Sequence, residues 1–188
     1  MVDSIDDDLM MLAGRGDKAA FTRLVGRHLA RAGALAGRIM GNRGDAEEIV
    51  QEAFLRAWLK APAWQKQGSA AGAAQFSTWF HRVLVNLCID RKRRPTHDPL
   101  DRAEEVADDG PGGFERTAEA ESGRRVAAAV AELPERQRAA LALCHYEGMS
   151  NIEAARILDV SVGALESLLV RARKQLRESL ADFAPEKG

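Results

Sequence analysis

The chain has 188 residues, 46% hydrophobic and 29% charged, enough apolar surface for one medium domain or two small ones and too much for a chain disordered throughout. No apolar run approaches the roughly 20 residues that span a bilayer, and the acidic start "MVDSIDDDLM" lacks the basic and apolar regions of a secretory signal, so a cytoplasmic protein is expected. The net charge of −1 hides an uneven distribution: residues 1–95 hold 15 basic and 10 acidic groups, residues 96–122 hold 2 and 9, and residues 123–188 hold 10 and 9.

In chain order, the first strongly patterned segment is "DAEEIVQEAFLRAWLKA". Ile49, Val50, Ala53, Phe54, Ala57 and Trp58 make an apolar helical stripe, while Asp45, Glu48 and Glu52 share another face with Gln51 beside them. Asp45 is placed to cap the helix, and acids suit its positive end. By itself such a face fits a solvated surface or an interface. The loop "PAWQKQGSAAGAAQ" follows, with Trp64 and Lys66 at its entry. An aromatic beside a cation suits stacking on an unpaired base, or the tryptophan anchors the loop to the core.

"FSTWFHRVLVNLCIDRKRR" reads as a second helix, with Ser77 as its N-cap and Phe80, Val83, Leu84 and Leu87 inward. The cations Arg91 to Arg94 at its end suit the helix dipole or phosphate. Asn86 and Asp90 lie one turn apart, and the polar Asn86 fits a helix-packing hydrogen bond or a functional contact. Next, "PTHDPLDRAEEVADDGPGGFERTAEAES" holds three prolines, a Gly-Pro-Gly-Gly cluster and little apolar period, and reads as a flexible linker. An all-α chain of two small helical domains on a tether results: residues 1–95, a linker over 96–122, and residues 123–188.

In the second domain Pro134 suits a first helical turn and Gly148 a helix end. Ser150 and Glu153 form a capping box, Ala154, Ala155 and Leu158 pack inward, "DVS" turns the chain, and Ser161 caps the last helix. There Leu165, Leu169, Ala172 and Leu176 form the buried stripe, leaving Gly163, Glu166, Ser167, Val170, Arg171 and Lys174 outward. Two capped helices joined this way fit a helix-turn-helix, whose second helix enters the major groove. A generic helical hairpin is the alternative.

The order and spacing of "GDAEEIVQEAFLRAW", "FSTWFHRVLVNLCIDRKRR" and "LPERQRAALALCHYEGMSNIEAARILDVSVGALESLLVRARKQLR" resemble the ECF (extracytoplasmic-function) group of bacterial RNA polymerase sigma factors over nearly the whole chain. The resemblance implies a region 2 bundle that grips core RNA polymerase and opens the minus-ten element. It also implies a region 4 helix-turn-helix that reads the minus-thirty-five element. By the same resemblance Asp45, Glu48, Gln51, Glu52 and Leu55 belong to the polymerase-binding helix. Trp64, Lys66, Trp79, Asn86, Asp90, Arg91, Arg93 and Arg94 belong to the minus-ten contacts. Ser161, Gly163, Glu166, Ser167, Val170, Arg171, Arg173 and Lys174 belong to the minus-thirty-five contacts. Partners implied are promoter DNA, core polymerase and an anti-sigma factor, with a monomer apart from these complexes and no membrane insertion.

Members of the group often carry cations at the positions of Glu166 and Leu168. Here Glu166 is read in two ways: it accepts a hydrogen bond from cytosine N4, or it pairs locally with Arg171 or Arg173. Leu168 packs or touches a thymine methyl. Neither cofactor nor metal nor catalytic set is expected: His28, His81, His97 and His145 are scattered, and Cys88 and Cys144 lack ligand or redox spacing. The rival reading is a helix-turn-helix regulator that binds DNA without acting as a polymerase subunit.

Overall fold

A computed structural model describes residues 2–64, 75–93 and 118–181. Every regular element among them is helical. The acidic N-terminal stretch forms α1 (Val2–Gly14), and two of its acids have structural roles. Asp6 is fully buried, and it is compensated there by Arg27 Nε at 2.6 Å and His28 Nε2 at 2.8 Å from α2 (Lys18–Met40). Asp7 Oδ1 accepts the backbone N–H of Phe76 at 3.0 Å, which closes the start of α4 (Phe76–Arg93). The expected cap Ser77 therefore lies inside the helix, one residue past its start.

A similar shift occurs at α3 (Arg43–Trp64). Asn42 supplies the cap instead of Asp45: its Oδ1 accepts from Asp45 N at 2.8 Å while its Nδ2 donates to Asp45 Oδ2 at 2.7 Å. The helix also continues past Pro62, where a loop was expected. Proline lacks the N–H and its ring crowds the carbonyl one turn back, but in the last turn few helical bonds remain to be lost, and Trp64 is buried there.

Helices α1 to α4 pack mutually around Met10, Leu24, Leu35, Ile39, Ile49, Phe76, Phe80 and Leu84, all essentially without solvent contact. In α4 the buried set is wider than the expected stripe. Val85, Cys88 and Ile89 are buried, and Val83 and Leu87 are partly so, because α7 covers α4 from a further side.

The C-terminal half comprises α5 (Ala118–Ala131), α6 (Glu135–Leu141) with a π-helical turn over Ala142–Tyr146, α7 (Asn151–Leu158) and α8 (Val162–Ser179). Pro134 occupies the cap of α6 rather than its first turn. Gly148 takes φ +67°, where an L side chain is strained, as the chain turns toward α7. Ser150 and Glu153 form the full capping box. Asp159 is left-handed at φ 53°, and Ser161 Oγ accepts from Ala164 N at 3.2 Å.

The two halves share one core, with Ala139, Ala140, Leu143, Ile157 and Leu165 continuous with the first bundle. Arg138 crosses between them, buried, donating to the carbonyls of Ile39 and Leu133 at 2.7 Å each and to that of Ala131. Desolvation lowers its pKa from the usual arginine value, opposed by Glu135. At the rim, Glu147, with only 6% of its side chain exposed, meets Arg31 Nη2 at 3.1 Å and Arg38 Nη1 at 3.8 Å. The Arg38 guanidinium also lies 4.6 Å from the centre of the Tyr146 ring. Arg82 of α4 donates to the Arg156 carbonyl of α7.

Candidate nucleic-acid interface

Helix α8 presents one apolar and one polar face, as its pattern requires. Leu165, Leu169 and Ala172 are buried, whereas Ser161, Gly163, Glu166, Ser167, Val170, Arg171, Arg173 and Lys174 are all exposed. Several of these are held by short-range bonds: Ser167 Oγ donates to Gly163 O at 2.9 Å, and Lys174 Nζ lies 3.8 Å from Glu178 Oε1. Glu166 pairs with neither Arg171 nor Arg173. Its Oε1 instead accepts from Asn151 Nδ2, on the preceding helix, at 3.4 Å.

Leu168 packs against the core. It also lines a shallow groove of about 300 Å³ with Arg136, Val160, Ala164, Ser167 and Arg171. Arg136 is exposed and lines this groove with Arg171, so a cation from α6 stands beside α8. Nothing in the local sequence around "ERQR" distinguishes it from any solvent-facing arginine.

On the first bundle the expected minus-ten residues divide. Trp64 is buried, with its ring 6.1 Å from Phe76 and 5.6 Å from Trp79. It anchors the end of α3 and is not a surface clamp, because these aromatic partners exclude solvent from it. Trp79 is partly buried on the same cluster. Asn86 and Asp90 are exposed on α4, which removes the helix-packing reading of Asn86. Lys66, Arg94 and the side chain of Arg93 lie outside the described residues.

Arg91, by contrast, is engaged. Its Nη1 contacts Asp45 Oδ1 at 3.0 Å and its Nη2 contacts Glu48 Oε2 at 2.9 Å. The hydrogen bond to Glu48 raises its pKa further; desolvation, the next largest effect, opposes the rise, and the charges of Glu48 and Asp45 and the hydrogen bond to Asp45 add to it. An expected DNA contact is thus ion-paired with two expected polymerase contacts. Beyond them Glu52 pairs with Arg56 at 2.9 Å. Gln51 is exposed, and Leu55 and Leu59 are 52% and 69% exposed one turn apart. Leu59 extends the apolar edge of the acidic face past the set the sequence singled out.

Burial pushes the Cys88 thiol up to about 12 and also raises that of Cys144. Both are protonated at neutral pH and poorly nucleophilic. Among the described residues no cluster of three or more His, Cys, Asp or Glu is placed to hold a metal ion. No described helix is long and apolar enough to cross a membrane.

A capped helix-turn-helix with an exposed cationic second helix is thus packed on a helical bundle that carries an acidic face. Residues 24–97 match the family description "Sigma-70 region 2" and residues 123–176 match "Sigma-70, region 4". The chain is 36% identical over 179 residues to the ECF RNA polymerase sigma factor SigM of Mycobacterium tuberculosis, covering 93% of this chain and 84% of that one. It is 28% identical over 180 residues to SigW of Bacillus subtilis, covering 90% and 93%. The solved structure of CnrH in complex with the cytosolic domain of CnrY superposes with a TM-score of 0.65 at 28% identity, covering 96% of this chain and 99% of that one. The chain belongs to the ECF family of RNA polymerase sigma factors.

Proposed function

We propose that this sigma factor divides its work between the two helical halves, with residues 1–95 and 123–188 as the working units and 96–122 between them, the last five residues of that stretch belonging to α5 rather than to a linker. The acidic face of α3, formed by Asp45, Glu48, Gln51 and Glu52 with Leu55, docks on core RNA polymerase, where opposite charge steers and registers the complex. Asn86 and Asp90 on α4, with the cations at its end, engage the minus-ten element. The exposed face of α8 reads the minus-thirty-five element, with Arg171, Arg173 and Lys174 on phosphate. Trp64 is withdrawn from the contacts, and Arg136 joins the phosphate set. Cytoplasmic action follows from these partners.

The observation that carries this reading is the outward row on α8 beside a separate acidic face on α3. A free-standing regulator explains the first and leaves the second without a role. We infer also that an anti-sigma factor holds the protein inactive, as CnrH, similar along nearly its whole length, forms a complex with the cytosolic domain of CnrY.

The test is paired substitution. Arg171→Ala with Lys174→Ala should weaken binding to every upstream sequence and flatten the salt dependence by about two phosphate contacts, leaving polymerase affinity intact. Glu52→Ala should do the reverse. Loss of both activities in either variant would contradict the division.

A further inference from the structure

The ion pairs of Arg91 join the two surfaces just assigned, and they do so across elements. Arg91 stands in the last turn of α4, whereas Asp45 and Glu48 stand in the first turns of α3. Asp45 is itself fixed by Asn42 at 2.7 Å, so the guanidinium closes onto a carboxylate that is already oriented. The neighbouring acids have cations of their own on the same helix, Glu47 with Arg43 at 3.0 Å and Glu52 with Arg56 at 2.9 Å. Among the described residues, Arg91 is the cation that reaches this face from α4. It remains 38% exposed, so water and salt reach it.

A guanidinium shared by two carboxylates presents little net positive charge to a phosphate. The two carboxylates, for their part, are partly neutralised toward any basic partner. We propose that Arg91 is a coupling residue, exchanging Asp45 and Glu48 for DNA phosphate when polymerase covers the acidic face. The inference rests on the docking role given to that face above. A cationic surface arriving at Asp45 and Glu48 competes with Arg91 for them and repels it, and the released side chain joins the basic end of α4. By linkage the effect is reciprocal: phosphate that captures Arg91 leaves the acids free for polymerase. Exposed ion pairs are individually weak, each worth a factor of roughly 1.5 to 5, so the coupling is modest, roughly three- to tenfold.

The sign of one measurement separates this from a simple structural or DNA-only role. The full chain, labelled, is titrated with core RNA polymerase as wild type, Arg91→Gln, Arg91→Lys and Glu52→Ala. Arg91→Gln frees both acids and is expected to bind polymerase three- to tenfold more tightly, with Arg91→Lys between it and wild type. On a promoter fragment whose start site has been mapped, Arg91→Gln should lower the salt slope of the holoenzyme by about one contact and leave that of the free chain unchanged. Unchanged or weaker polymerase binding by Arg91→Gln overturns the coupling. If Glu52→Ala still weakens binding, the docking face survives that result. If Glu52→Ala also changes nothing, the docking role itself fails.

Discussion

Glu166 is exposed in the second turn of α8, with one oxygen toward Asn151. On the proposed reading this carboxylate accepts from cytosine N4 in the major groove, a contact worth roughly 1–3 kcal/mol of discrimination. Glu166→Ala and Glu166→Lys, assayed on a library of upstream elements, should alter preference at one base position about five- to hundredfold; unchanged preference everywhere removes that role. The outward direction of Glu166 was legible from the stripe of Leu165, Leu169 and Ala172. Its partner was not, because Asn151 lies on a different helix. Trp64 shows the same limit: sequence sets an aromatic beside a cation, and only the rings of Phe76 and Trp79 show that it is buried. His81 supplies a pH test. Burial lowers its pKa below 6.5, the Ser77 carbonyl at 2.6 Å opposing. The unfolded chain therefore binds more protons, and this stabilisation is complete above 6.5 and lost as pH falls through the lowered folded value. The melting temperature should drop between pH 7.5 and 5.5, and less in His81→Gln; equal drops would assign the effect to other groups.

At the scale of elements, the helix-turn-helix was read almost completely from sequence because its devices are local. Ser150 meets Glu153, and Ser161 meets Ala164, each within three residues. Ser161→Ala should cost about 0.5–2 kcal/mol of stability, measured by denaturant unfolding, and weaken DNA binding by fraying the reading end of α8. No loss of stability would show that tertiary packing alone sets that end. The start of α4 was misread for the opposite reason: its cap, Asp7, lies 69 residues upstream. Asp7→Ala is therefore expected to loosen α4, seen as faster hydrogen exchange in its first turn; unchanged exchange there would remove Asp7 as the cap.

For the whole molecule, periodicity showed two helical halves but not that they share a core, since the closing contacts join distant residues such as Arg138 to Ile39. A chain of this length packed as one body has a radius of gyration of about 16 Å. Elements at minus ten and minus thirty-five are about 85 Å apart at 3.4 Å per base pair. On the proposed reading the halves must therefore separate to engage both. Glu147→Ala, which removes the partner of Arg31 and Arg38, should raise the radius of gyration in small-angle scattering at physiological salt; an unchanged value would show that these ion pairs do not hold the halves together. Transcription in vitro tests the central claim most directly. Purified chain added to sigma-free core polymerase on a mapped genomic library should produce initiation at discrete start sites sharing two upstream motifs. Initiation indistinguishable from that of core polymerase alone would contradict the account.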